Sequence, residues 1–313
     1  MTPRVAVIIP TKNRSGYLVG AITSVLNQSF EDLDIVVVDD ASEDATEEVV
    51  RSFQDRRVRY IRHSVSKGGS ATRNTGIRQT SSPLVAFLDD DDEWLPQKLE
   101  LQLKLMDTRS DNVGCVYSGY EIFDKDLKRK LAVRTPCHNG DLRRVLLEGN
   151  SLGTTSTVLV RRMYLTKSGL FDETLPSMQD YDLYLRLAQV CDFEYIDQAL
   201  VRYRMNASCI STYLPGLEKG LRKLIQKHGG PPILKRTCSR LLLDVGVRYA
   251  EAGQMRDASR VLAFTVFLNP TDLTSYFYLA SASLGQKGYR RVQLMKQTIL
   301  SGVRRHSGEK SGA

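Results

Sequence analysis

The sequence predicts an α/β fold, an open and mostly parallel twisted sheet with helices on both faces, followed by a small all-α C-terminal appendage. Two observations carry this. Through the first half, short β-branched runs alternate with stretches whose apolar residues recur at helical spacing. Beyond Gly229-Gly230-Pro231-Pro232, the plainest linker signal in the chain, the pattern becomes wholly helical. A chain of 313 residues is long enough for one large domain and one smaller one, here 1–228 and 229–313.

The predicted elements follow in order. Val5-Ile9 reads as a strand rather than the apolar part of a secretion signal, because Pro10-Thr11-Lys12-Asn13-Arg14 ends it too early. Further strands are predicted at Asp34-Val38, Val58-Arg62, Leu84-Leu88 and Val113-Tyr117, with helices at Gly16-Leu26, Asp44-Phe53, Ala71-Gln79 and Gln97-Met106 between them. From Gly119 to Asn150 the periodicity weakens, and Lys125, Lys128, Arg129 and Lys130 among turn residues suggest a hairpin or lid. Ser156-Val160 then reads as a strand, Tyr181-Val190 as a helix, and Phe193-Ile196 and Leu200-Tyr203 as two short strands. In the last part, Leu242-x-x-Val245-Gly246-x-x-Tyr249, Ala258-x-x-x-Leu262 and Pro270 are spaced as in a tetratricopeptide repeat, in which small residues let two helices approach. An unrelated helix pair would leave similar marks.

Hydrophobic and charged fractions of 42% and 26% are ordinary for a globular protein, and no run nears the roughly 20 apolar residues of a membrane-spanning helix. The five cysteines are odd in number, widely spaced and without a C-x-x-C pair, which fits reduced thiols in a cytoplasmic protein. His63, His138, His228 and His306 are equally scattered, so any metal is left to carboxylates. A net charge of +8 favours an anionic partner without choosing among nucleic acid, anionic lipid and phosphorylated substrate. Much of the excess lies in Lys287, Arg290, Arg291, Lys296, Arg304, Arg305 and Lys310, interleaved with apolar residues. This stretch reads either as an amphipathic helix at the inner face of the cell membrane or as an ordinary surface helix with a frayed tail.

Open sheets of this kind bind ligands beyond the carboxyl ends of their strands. The unusual polar clusters all fall on that edge: Pro10-Thr11-Lys12-Asn13-Arg14, Asp39-Asp40 and Asp89-Asp90-Asp91-Asp92. Four adjacent aspartates need a cation or many hydrogen-bond donors, and hard oxygen ligands suit Mn2+ or Mg2+ bridged to phosphate. The alternative, a solvated acidic loop, is opposed by Trp94-Leu95-Pro96, which pins the run to a helix start. Asp40 can accept from a ribose or a pyrimidine N–H, or serve as part of a helix cap. Lys67-Gly68-Gly69-Ser70-Ala71-Thr72-Arg73-Asn74 is a glycine turn entering a helix, suited to a diphosphate. Asp180 opens an amphipathic helix, which by itself reads as ordinary helix electrostatics.

In order along the chain, these segments are Val7-Ile8-Ile9-Pro10-Thr11-Lys12-Asn13-Arg14, Val36-Val37-Val38-Asp39-Asp40, Gly69-Ser70-Ala71-Thr72-Arg73-Asn74, Phe87-Leu88-Asp89-Asp90-Asp91-Asp92-Glu93-Trp94-Leu95-Pro96 and Gln179-Asp180-Tyr181-Asp182. Over about Val5 to Ser211 they resemble glycosyltransferase family 2, an inverting family with the Rossmann-like GT-A fold. The resemblance implies that Pro10, Thr11 and Asp40 line a nucleoside pocket, with Asp40 facing a uracil, and that Asn13, Arg14, Gly69, Arg73, Asp89 and Asp90 lie on the donor. It implies that Asp89 and Asp91 form the D-x-D pair, with Asp91 the direct metal ligand, and that Asp180 is the general base of a single displacement. Asp92, Trp94, Gln179, Arg204 and Asn206 fall on the acceptor or donor side. Two positions depart from the family pattern: Gln179 stands where many members have Glu, and Asn206 where the Tyr-Arg-x-His segment has His.

The expected partners are a nucleotide-sugar donor, a cell-surface glycan or lipid-linked acceptor, and a protein partner through the C-terminal helices, with no nucleic acid. Two other readings compete. A sugar-nucleotide pyrophosphorylase would share the sheet and the acids, but would carry a glycine- and arginine-rich loop where Pro10-Thr11-Lys12-Asn13-Arg14 stands. An inactive transferase-like scaffold would explain Gln179 and Asn206, yet every candidate carboxylate is retained.

Overall fold

The computed structural model describes residues 2–205 and 213–295. The chain forms two compact units divided after Cys209, so residues 214–227 group with the C-terminal helices, ahead of the Gly229-Gly230 linker read as the boundary at 228. Asn206 and the basic residues Lys296, Arg304, Arg305 and Lys310 lie outside the described residues.

The first unit runs β1 (Val5–Thr11), α1 (Ser15–Leu26), β2 (Leu33–Asp39), α2 (Thr46–Ser52), β3 (Val58–Arg62), α3 (Gly69–Arg78), β4 (Leu84–Phe87), β5 (Glu93–Trp94), α4 (Lys98–Thr108), β6 (Val113–Phe123), β7 (Lys130–Arg134), α5 (Arg143–Glu148), a 3-10 turn (Thr155–Thr157), β8 (Val158–Arg161), α6 (Arg162–Ser168), α7 (Gln179–Leu187) and β9 (Asp192–Arg204). The sheet order is β3-β2-β1-β4-β8-β6-β9-β5, with β7 added to β6. Strands β3, β2, β1 and β4 are parallel, as expected, and Val5–Ile9 is fully buried because helices cover both faces. Beyond β4 the sheet becomes mixed: β8 runs antiparallel to both neighbours, while β6 and β9 are parallel.

Three local differences from the sequence reading have physical causes. Phe193-Ile196 and Leu200-Tyr203 belong to one strand, β9, whose apolar pattern is broken by exposed Asp197 and Gln198 beside a register shift at Gly119. The strand read at Ser156-Val160 starts at Val158, because the Thr154 hydroxyl accepts from the Ser156 amide and turns the preceding residues into a 3-10 helix. The patternless region after Gly119 contains the β6–β7 hairpin, closed where the Asp124 carboxylate accepts from the amides of Lys128 and Arg129.

The second unit holds α8 (Leu214–Lys227), α9 (Pro232–Glu251), α10 (Met255–Leu268) and α11 (Leu273–Ser283), and residues 285–295 are also helical. A Cβ at Gly246 would stand 2.8 Å from Cγ of Leu262, so this glycine permits α9 and α10 to close on each other over buried Ala258 and Tyr249. The close helix pair is thus present, whereas a tetratricopeptide repeat pattern is not shown. Buried Glu218 ties α8 to α10, accepting from Arg222 Nε and Arg260 Nη2, each at 2.9 Å. Among the described residues no helix is long and apolar enough to cross a membrane.

Candidate active site

The strand order reverses direction at β1, between β2 and β4, and the chain leaves all three strands on the same edge. The Asp40 amide donates to the Thr11 carbonyl at 2.9 Å, fixing the two strand ends together. Three residues near this edge carry positive φ without being glycine: Asn13 (52°), Ala41 (62°) and Met178 (61°), the last capping α7 immediately before Gln179 and Asp180. Such backbone strain collects where side chains must be aimed.

Asp40 is filled by its own chain. Its Oδ1 accepts from the Lys67 amide at 2.7 Å and faces His63 Nδ1 at 2.9 Å; its Oδ2 accepts from Ser66 Oγ at 2.7 Å and the Gly68 amide at 2.9 Å. Burial works to raise its pKa, but the Lys67 amide, His63, Ser66 and the Gly68 amide together outweigh burial and lower it to about 2. The carboxylate expected to read a base therefore anchors the glycine turn, and Gly68, at φ 88°, presents that turn to the start of α3. Asn13 is likewise engaged, its Oδ1 accepting from the Glu43 amide at 2.7 Å. Pro10 pairs with Val38 in the β1–β2 ladder, and Gly69 opens α3 with its Cα side against Arg73 Nη1.

The four aspartates after β4 have different surroundings. Asp89 Oδ1 accepts from Arg73 Nη2 and from Thr155 Oγ1 at 3.1 Å. Asp90 accepts from Thr11 Oγ1 at 2.8 Å and Arg14 Nη1 at 3.1 Å; burial nonetheless raises it to about 7, with Asp91 adding to the rise. Asp91 Oδ2 accepts from Arg14 Nη1 at 2.9 Å. Asp92 is wholly buried, accepting from Ser156 Oγ at 2.7 Å and the Arg204 amide at 3.1 Å, and burial plus the charges of Asp89 and Asp91 push its carboxyl well up.

Arg73 is buried, its guanidinium over the Phe171 ring at 5.6 Å. Burial opposes its charge, but Asp89, with help from Asp180, keeps it firmly protonated. Asp180 accepts from the Tyr181 amide at 2.7 Å, and Asn150 Nδ2 stands 3.5 Å from its other oxygen. Burial raises its carboxyl above the ordinary range; the Tyr181 amide and Arg73 offset part of the rise, and Asp89 adds to it.

Three residues expected on the substrate side also support the acidic loop. Trp94 is buried, donating from its indole to the Ser156 carbonyl at 2.8 Å. Arg204 donates to the carbonyls of Asp91 at 2.9 Å and Lys125 at 2.8 Å, with its guanidinium over Tyr17. Asp92 is the buried member described above. Gln179 Nε2 donates to the Leu175 carbonyl at 3.1 Å. The sequence reading missed His63, Ser66 and the run Thr154-Thr155-Ser156, which supplies hydroxyls to Asp89 and Asp92. His63 and Ser66 precede the glycine turn and Thr154-Thr155-Ser156 sits at the start of a strand signal, where isolated polar residues carry no spacing pattern of their own.

Among the described residues no three His, Cys, Asp or Glu side chains converge as a metal cage. Asp89 and Asp91 offer two carboxylates, each beside an arginine, and magnesium or manganese accepts so few protein ligands when phosphate oxygens complete its shell. The donor set fits that shared arrangement.

A sequence profile described as "Glycosyl transferase family 2" matches residues 6–169. An uncharacterized glycosyltransferase of Rickettsia bellii is 31% identical over 66% of this chain, which spans only 30% of that protein's length. An Escherichia coli protein, UDP-Glc:alpha-D-GlcNAc-diphosphoundecaprenol beta-1,3-glucosyltransferase WfgD, is 29% identical over 66% of this chain and 79% of its own. The crystal structure of Staphylococcus aureus TarS residues 1–349 in complex with UDP-GlcNAc superposes with a TM-score of 0.64 at 16% identity, covering 93% of this chain and 92% of that one, a likeness of fold. With the profile covering more than half of its residues, the chain belongs to glycosyl transferase family 2 and is a glycosyltransferase.

Proposed function

We propose that the chain transfers a sugar from a UDP-sugar to a hydroxyl of a glycan or lipid-linked acceptor by a single displacement with inversion. The observation that carries this reading is the placement of Asp180 and Asp89 around one buried guanidinium, that of Arg73, at the carboxyl edge of the parallel strands. Asp180, held by the Tyr181 amide, takes the proton of the acceptor hydroxyl as that oxygen attacks the anomeric carbon. Arg73 stabilises the negative charge that develops on the departing diphosphate. Asp91, with Asp89, would hold a divalent metal, which when bound supplies Lewis-acid stabilisation of the same diphosphate. Thr11 and Pro10 border the nucleoside, and Asp40 shapes that pocket through the glycine turn. The UDP choice and the polyprenyl-type acceptor draw support from the relatives named above, and peripheral membrane placement accords with such an acceptor.

Calorimetric titration of UDP, GDP, CDP and dTDP, with and without manganese, on wild type and Asp91→Ala tests this. Binding of UDP that needs both manganese and Asp91 is the expected result. Binding indifferent to both, or preference for another nucleotide, overturns the metal role or the donor assignment respectively.

A further inference from the structure

Helix α11 and its C-cap carry large apolar side chains on the outer face as well as the inner one. Leu273, Tyr276, Phe277, Ala280 and Leu284 recur at the spacing of one helix face, yet this face is exposed: Leu273 is 79%, Phe277 41% and Leu284 63% accessible. The opposite face buries Ser275 and Ser281 together with Ala282. Both serines are satisfied within their own helix turn, Ser275 Oγ donating to Asp272 Oδ2 and Ser281 Oγ to the Phe277 carbonyl, each at 2.7 Å. The inner face, where Tyr278 and Leu279 are half-buried beside these small residues, packs α11 on α10, and Leu273, Tyr276, Phe277 and Leu284 are left outward.

What covers this face is indicated by charge. Residues 273–286 include no Asp, Glu, Lys or Arg. Exposed Lys287, Arg290 and Arg291 follow directly, and from Leu273 to the last residue the only acid is Glu309. A second copy seated on the same face in a two-fold arrangement would bring these cations against their own kind, whereas anionic lipid headgroups satisfy the cations while the acyl boundary takes the apolar side chains. Tyr276 and Phe277 are the amphipathic and aromatic side chains that settle at such a boundary. We propose that the exposed face of α11 docks the protein on an anionic lipid bilayer, with Lys287, Arg290 and Arg291 against the headgroups. The surface is distinct from the transfer site and does not depend on the donor or acceptor assignment.

The test is sedimentation of the full chain with phosphatidylcholine vesicles, with and without phosphatidylglycerol. Wild type is expected to sediment with the anionic vesicles, more weakly as salt rises. The double substitution Leu273→Ser/Leu284→Ser is expected to lower the partition coefficient at least about tenfold, since two exposed apolar side chains no longer insert. Replacing Lys287, Arg290 and Arg291 with Gln should abolish the preference for anionic lipid. Because the substituted side chains are exposed, thermal unfolding and UDP binding of the variants should match wild type. Equal vesicle binding by the serine variant overturns the proposal. So does a wild type that ignores vesicles, whether it sediments as a monomer or as a dimer that the serine variant dissolves, the latter assigning the face to a second copy.

Discussion

The Ser156 hydroxyl donates to Oδ2 of Asp92 at 2.7 Å while accepting from the backbone amide of Asp89 at 3.1 Å, so one small side chain ties both ends of the four-aspartate run to the 3-10 turn. Trp94 adds a third tie through the Ser156 carbonyl. An acidic loop held this way keeps Asp89 and Asp91 in place while Asp92 stays buried beneath them.

Ser156→Ala is therefore expected to leave the fold intact, destabilise it by about 1–3 kcal/mol because the buried Oδ2 of Asp92 loses its donor while Oδ1 keeps the Arg204 amide, and lower turnover more than UDP affinity. Urea denaturation together with kcat and nucleotide Kd checks this; unchanged stability would show that Asp92 finds another donor.

Asp180→Asn should reduce transfer by roughly 100-fold or more while nucleotide binding stays near wild type, as befits loss of a base that does not hold the donor. Because burial raises the Asp180 carboxyl, activity of the wild type should climb with pH along a limb lying above the ordinary carboxylate range. A pH profile of kcat/KM with that limb, missing from the residual activity of the Asn variant, is the expected measurement.

Asp40 links stability to acid. Its pKa falls from 3.8 to about 2 in the folded chain, so its contribution is complete above about pH 4 and disappears as pH falls through about 2. The size is about 2 kcal/mol, since a tenfold change in proton affinity corresponds to about 1.4 kcal/mol. Asp40→Asn should lose that much at pH 7 and show a flatter acid limb in denaturation midpoints measured from pH 7 downwards.

A Cβ at Gly76 would lie 2.5 Å from Cγ2 of Ile8, in the packing of α3 against β1. Gly76→Ala should cost about 1–3 kcal/mol and shift α3, on which Arg73 rides; adding Ile8→Ala should recover part of the loss if the clash is the cause. A double-mutant cycle by thermal unfolding reads the coupling directly.

The nucleotide half of the first unit was legible because each of its elements obeys a single period. Val5–Ile9 and Leu84–Phe87 are buried on both faces, and α1 between them shows one apolar stripe of Leu18, Ala21, Ile22 and Val25. The second half was less so. There β8 runs antiparallel between β4 and β6, and Asp197-Gln198 interrupts β9, so neither sheet order nor strand length followed from local pattern. The site shows the same division. Aspartates beyond strand ends announced themselves, but sequence alone could not say that Asp40 already has four partners of its own, or that Trp94 and Arg204 brace the loop from behind. Those facts depend on which side chains meet across long separations, such as Ser156 with Asp92.

Arg14 and Arg73 set the electrostatic face that the site shows to an approaching anion. With Arg14 on Asp90 and Asp91, and Arg73 on Asp89, two guanidinium groups stand against the acids of the loop, in a unit, residues 1–209, that holds 27 Lys and Arg against 30 Asp and Glu. The chain's excess of positive charge comes from residues 210–313, so an arriving diphosphate meets attraction only at short range from these arginines, and a divalent cation carried with it should raise its encounter rate, an effect that fades as ionic strength rises.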